Sequence, residues 1–72
     1  MTIEEFYDLD ELEQHEELWD HGVQIGERLE GDFKIILYQI HSFYIELYYH
    51  IEYNCLRKLY AFDDTDELHY YL

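Results

Sequence analysis

Five histidines and eighteen carboxylates in a chain of 72 residues invite a metal or acid–base reading. Zinc needs side chains that converge, most simply from His pairs at i, i+3 or i+4 on a helix. His15-Glu16 opens such a pattern, but Trp19 stands where the second His belongs, and no His pair has that spacing. Asp63-Asp64-Thr65-Asp66-Glu67 has the acidity of a calcium loop without its turn glycine or its twelfth-position Glu, and helix capping accounts for it. Cys55 and His50 fall on one face of a predicted hairpin, where the expected pairing sets His50 opposite Arg57 and Glu52 opposite Cys55. A carboxylate beside a thiol disfavours the thiolate a nucleophile needs. A Gly-rich phosphate loop and a Gly-x-Ser-x-Gly elbow are both missing from the sequence. The expectation is a protein without catalytic residues, metal site or cofactor.

The strongest local feature is aromatic: Phe43-Tyr44-Ile45-Glu46-Leu47-Tyr48-Tyr49-His50-Ile51-Glu52-Tyr53. Aromatics are good strand formers and core fillers, and Tyr is also favoured at protein interfaces. Stacking platforms for single-stranded nucleic acid use similar residues, but in positive grooves. Four Lys and Arg against eighteen acids give a formal charge of −14, which disfavours direct contact with DNA or RNA phosphates.

The charge is segmented. The first 32 residues carry −11, residues 33–62 carry +1, and the last ten carry −4. Nine of the fourteen aromatics lie in the near-neutral middle, so an aromatic centre is flanked by acidic ends. That aromatic content argues for a folded chain, since acidic disordered tails are poor in aromatics. A chain of this length is expected to be one domain that buries only about 60% of its unfolded surface. Nothing approaches the ~18 continuous apolar residues of a membrane span. With one Cys and a start, Met1-Thr2-Ile3-Glu4-Glu5, unlike a signal peptide, a cytoplasmic location is expected.

The elements that would position these residues are of two kinds. Residues 2–21 read as a helix or helix pair: Thr2 with Glu5 and Asp10 with Glu13 form two capping-box patterns, and Gly22 supplies a stop. Leu12, His15, Leu18 and Trp19 fall on one helical face. From Val23 the period becomes two, giving antiparallel strands at 23–29, 33–40, 43–52 and 55–62. Two-residue loops at 30–31, 41–42 and 53–54 would set Glu27 opposite Lys34, Ile36 opposite Ile25 and Leu47, and Leu47 opposite Tyr60. Residues 64–71 read as a short helix capped by Asp64 or Thr65, with Leu68, Tyr71 and Leu72 on one face. The fold class is α+β: an N-terminal helix or helix pair packed on a four-stranded antiparallel meander, with a short C-terminal helix.

From Gly26-Glu27-Arg28-Leu29-Glu30-Gly31-Asp32-Phe33-Lys34, through Leu37-Tyr38-Gln39 and Phe43 to His50, to Phe62-Asp63-Asp64-Thr65-Asp66-Glu67-Leu68, the chain resembles short uncharacterised acidic bacterial proteins over residues about 20–72. The resemblance implies a bacterial cytoplasmic origin and the helix-then-meander architecture, and it transfers no activity or site residue.

One sheet face collects the dense apolar set for the helices, including Tyr60 and Phe62. The other carries Phe33, Ile35, Leu37, Tyr44, Tyr48, Leu59 and Ala61 among polar residues such as Arg57, more apolar than a solvated face. Either the C-terminus or another chain must cover it. The expected function is a small non-enzymatic interaction module that self-associates, as a dimer or with a protein partner. Its candidate interface is Phe33, Ile35, Leu37, Tyr44, Tyr48, Leu59 and Arg57. The alternative is an acidic nucleic-acid mimic that blocks a DNA- or RNA-binding protein.

Overall fold

Both capping boxes form. In the computed structural model, which describes residues 1–71, the Thr2 hydroxyl accepts from the Glu5 N–H while Glu5 accepts from the Thr2 N–H. The same exchange between Asp10 and Glu13 opens a second helix. The helical segment is therefore a pair, α1 (Ile3–Asp8) and α2 (Glu11–His21), tied together by Gln14 donating to the Phe6 carbonyl at 3.2 Å. Gly22 ends α2 with extended backbone, φ −84° and ψ 147°. The stop is steric, because a Cβ at Gly22 would lie 2.5 Å from the Leu18 carbonyl oxygen.

Four strands follow, β1 (Val23–Glu30), β2 (Phe33–Ile40), β3 (Phe43–His50) and β4 (Cys55–Phe62), antiparallel in the order β1-β2-β3-β4. A seven-residue 3-10 helix, Thr65–Tyr71, closes the described chain; the expected place of Leu72 on its face lies outside the described residues. No helix among the described residues is long and apolar enough to cross a membrane.

The central hairpin has the expected register, with Ile36 opposite Leu47 and His41-Ser42 as the turn. The other two differ. Gly31, at φ +58°, takes the first central position of the β1–β2 turn, where hairpin turns need positive φ. The loop is thus Gly31-Asp32, and Glu27 pairs with Ile36 while Leu29 faces Lys34. This two-residue slip leaves the faces unchanged from Gly26 onward, and Glu27 still reaches Lys34 diagonally at 3.4 Å. Near its start β1 carries a bulge at Ile25, so Ile25 does not face Ile36.

The third joint is a four-residue turn, Ile51–Asn54, closed by the Asn54 N–H on the His50 carbonyl at 2.7 Å. His50 consequently faces Cys55, neither Arg57 nor Glu52 having the expected partner. A bulge at Arg57 then sets Leu47 opposite Leu59 rather than Tyr60. A one-residue slip exchanges faces. Leu59 and Ala61 point to the helix side, while Lys58, Tyr60 and Phe62 join Tyr48, Glu46 and Tyr44 on the other.

The main core lies between helices and sheet: Phe6, Leu18, Ile40, Phe43, Ile45, Leu47 and Ala61, with Phe6 edge-on to Phe43 at 5.9 Å. The Tyr7 hydroxyl accepts from the Ala61 N–H at 2.8 Å, and Glu17 meets His41. These contacts seat both helices over the end of the sheet that carries the His41-Ser42 turn. The other end of that face is left without a helix.

Candidate interaction surfaces

The residues expected to form one open face are divided. Ile35 and Leu37 are 0% and 2% exposed, so the chain itself covers the middle of the second face. The cover is the C-terminal 3-10 helix, which runs from β4 to β1. Glu67 accepts from the Tyr60 hydroxyl at 3.3 Å at one end, and at the other the Tyr71 ring lies against Gly26, beside Leu37. A Cβ at Gly26 would meet Tyr71 Cδ1 at 3.3 Å, so glycine there leaves room for the ring. Phe33, Tyr44 and Tyr48 remain half-buried on this face, Phe33 edge-on to Tyr48 at 6.3 Å and Tyr44 stacked on Phe62 at 5.5 Å. Leu59 belongs to the helix-side core, and Arg57 is exposed at the bulge, over the Tyr53 ring.

Under the 3-10 helix sits Glu46, only 5% exposed. Its Oε2 accepts from the Tyr71 hydroxyl at 2.6 Å and from Arg28 Nη2 at 3.2 Å, and Arg28 also pairs with Glu30. A carboxylate survives burial here because two donors, the Tyr71 hydroxyl and the Arg28 guanidinium, converge on it. Burial works against the charged Arg28, but Glu30, Tyr71 and Glu46 outweigh it and hold the guanidinium more firmly protonated than usual. Burial, then the hydrogen bond to Glu46, pushes the Tyr71 phenol well above its ordinary range.

The apolar surface that stays open is on the helix side. Trp19 is 85% exposed and Leu12 68%, although both share a face with Leu18; only Leu18 is buried, with His15 half-buried. The helices are too short to bring every apolar position of that face onto the sheet. A hollow of about 280 Å³ opens between α2 and the sheet, lined by His15, Leu18, Trp19, Tyr38, Leu47 and Tyr49, with the His15 Nε2 buried and unpartnered. A second hollow of about 320 Å³ shares Tyr49 and continues over Ile36 and Ile51. Leu29 stands beside it, 72% exposed. The result is a strip from Trp19 through Tyr38, Tyr49 and Ile36 to Leu29 and Ile51.

One cluster is only partly legible in sequence spacing, Glu17 and His21 standing at i, i+4 while His41 is distant. Glu17 Oε1 lies 2.8 Å from His41 Nε2 and 3.7 Å from His21 Nε2, with the two imidazole centroids 5.2 Å apart. The β2–β3 turn brings His41 to the end of α2, a juxtaposition fixed only by tertiary packing. Among the described residues no group of three or more His, Cys, Asp or Glu is arranged to hold a metal ion. Cys55 is a half-buried free thiol; the facing His50 accepts from the Tyr53 N–H at 3.3 Å and stacks on the Tyr53 ring. In the acidic tail, Asp64 caps the 3-10 helix by accepting from the Asp66 N–H at 2.9 Å. Comparison with protein-family models, curated proteins and solved structures finds no match, so functional reasoning rests on the chain's own geometry.

Proposed function

We propose that the protein is a small non-enzymatic interaction module that pairs with a second copy of itself through the uncovered half of its helix-side sheet face. The observation that carries this reading is the strip from Trp19 to Leu29 and Ile51, an apolar surface left bare because both helices sit over the opposite end of the sheet. The charge distribution favours a second copy as occupant. The nine acids of residues 1–20 belong to the helical end, whereas the bare end is near neutral, its Lys34 already paired with Glu27 at 3.4 Å. Two copies meeting at their bare ends leave most of the helical acids outside the contact, with only those flanking Trp19 at its border, and a two-fold axis makes the same patch serve both.

The contact is small. The molecule measures 31 × 27 × 18 Å, and half of its broad face offers roughly 400 Å² per copy, below the standard size of a stable interface and in the range of transient pairing. The dimer is therefore weak and concentration-dependent. Sedimentation velocity over a concentration series tests this. Leu29→Glu should abolish the concentration dependence, Leu12→Glu should leave it intact, and salt should strengthen pairing by screening the net charge. A species that stays monomeric up to about 1 mM at high salt removes the proposal.

A nucleic-acid mimic is the second reading, favoured by one observation. Among the described residues, no acid of residues 1–20 makes an ion pair with Lys or Arg; only Glu17 has partners, both histidines. Salt-sensitive capture of nucleic-acid enzymes from lysate supports mimicry, and salt-insensitive capture opposes it.

A further inference from the structure

Beside the C-terminal 3-10 helix, on the sheet face away from the proposed dimer surface, lies a pocket of about 240 Å³. Three of its walls are aromatic, the rings of Tyr48, Tyr60 and Tyr70, and three of its lining side chains are carboxylates, Glu30, Glu46 and Glu67. Arg28 also lines it, but that guanidinium is held by Glu30 and Glu46 and rests over the Tyr70 ring at 5.3 Å. Two of the three carboxylates thus answer one cation, and among the described residues the Glu67 carboxylate has only the Tyr60 hydroxyl. Aromatic faces with surplus negative charge are the chemistry that selects a cation.

A second observation concerns two of the same rings, from a residue that does not itself line the pocket. The chain's own ammonium already uses these rings: Lys58 Nζ lies 5.1 Å from the Tyr48 centroid and 5.3 Å from that of Tyr60. Lys58 itself is exposed, anchored by cross-strand pairing with Tyr48, so its side chain can swing out without disturbing the sheet. We propose that this pocket binds a primary alkylammonium group, from a free amine or a lysyl side chain, which displaces the Lys58 ammonium from the Tyr48 and Tyr60 rings. The rings stabilise the charge, and Glu67 accepts N–H donors that a quaternary ammonium lacks. The negative charge of Glu67 raises the Tyr60 phenol above its ordinary range, and the same field attracts an incoming cation.

The test is an amide chemical-shift titration of the full chain in about 0.15 M salt, which screens diffuse attraction to the acidic helices. The probes are n-butylammonium chloride, n-butanol and N-acetyl-lysine methylamide. Butylammonium should give saturable shifts confined to Tyr48, Tyr60, Glu67, Tyr70 and their neighbours, and butanol should give none there. Lys58→Ala should tighten binding several-fold by freeing the rings, and Glu67→Gln should weaken it several-fold. Capped lysine binding as tightly as butylammonium assigns the site to a lysyl side chain of another protein; butylammonium alone assigns it to a small amine. Equal shifts from butanol, shifts spread along α1 and α2, or an affinity unchanged by Lys58→Ala would each overturn the proposal.

Discussion

Glu46 shows how a single side chain can hold two elements together. Strand alternation in Phe43-Tyr44-Ile45-Glu46-Leu47 places it on the second face, and that much is legible in the sequence. Its partners are not: Arg28 is 18 residues earlier and Tyr71 25 residues later, and no local pattern links them. Removing one member of a buried ion pair leaves the other charge uncompensated, whereas replacing the whole set by apolar groups is close to neutral. Arg28 keeps Glu30 as a partner, so Glu46→Ala should cost about 2 kcal/mol in urea unfolding, chiefly from the Tyr71 hydroxyl left without its acceptor. The combination Arg28→Met, Glu46→Leu, Tyr71→Phe should cost much less than that single change. If the triple variant is the less stable of the two, the network contributes net stability rather than mutual compensation. Alternation likewise sets Ile35 and Leu37 on the second face, but it carries no measure of how far a seven-residue helix reaches across that face to bury them.

At the scale of elements, caps and turns divide into those with chemical signatures and those without. Thr2 with Glu5, and Asp10 with Glu13, announce α1 and α2 because side chain and backbone satisfy each other within four residues. The β3–β4 turn is hidden in the sequence because Ile51-Glu52-Tyr53 continues the strand alternation, and only Asn54, at φ +50°, carries turn chemistry. The turn shifts the register by two residues, which keeps the faces; the bulge at Arg57 takes one back, and that odd residue sets Leu59 and Ala61 on the helix side and Tyr60 and Phe62 away from it. Gly22 marks the end of α2 for want of space, whereas Gly31 is needed for its positive φ. Gly22→Ala should thus cost about 2 kcal/mol, more than the roughly 1 kcal/mol of Gly31→Ala, because the added Cβ meets backbone. Thermal unfolding of both variants checks the order; the reverse ranking would mean that the α2–β1 joint relaxes freely.

For the whole molecule, electrostatics dominates what solution conditions do. The acids crowd the helical end with few opposing charges, so added salt should raise stability at pH 8. Strong acid works the other way. The Thr2 backbone and hydroxyl hydrogen bonds lower the Glu5 pKa, so its cap contribution is present above the ordinary Glu range and is lost as pH falls through the lowered value. On the alkaline side the sign reverses. Burial raises Tyr38, Tyr48 and Tyr71, and the charge of Glu67 raises Tyr60, so the unfolded chain releases these phenolic protons first. Stability should fall from about pH 10 upward. Melting temperatures should fall above about pH 10 and should rise with added salt at pH 8; a flat salt response at pH 8 would show that the helical acids do not repel one another appreciably.

The meander carries a consequence for how the chain reaches this state. Every strand pairs only with its neighbour in sequence, and two of the three connections are two-residue turns. Loop closure is therefore brief at each step, and no strand waits for a distant partner. The β2–β3 hairpin, with an unbroken register, is the natural nucleus from which pairing spreads outward. The terminal helices dock last, α1 and α2 on one side and the 3-10 helix on the other. Until then both faces of the aromatic sheet are open, and the charge at the chain ends keeps growing copies from meeting.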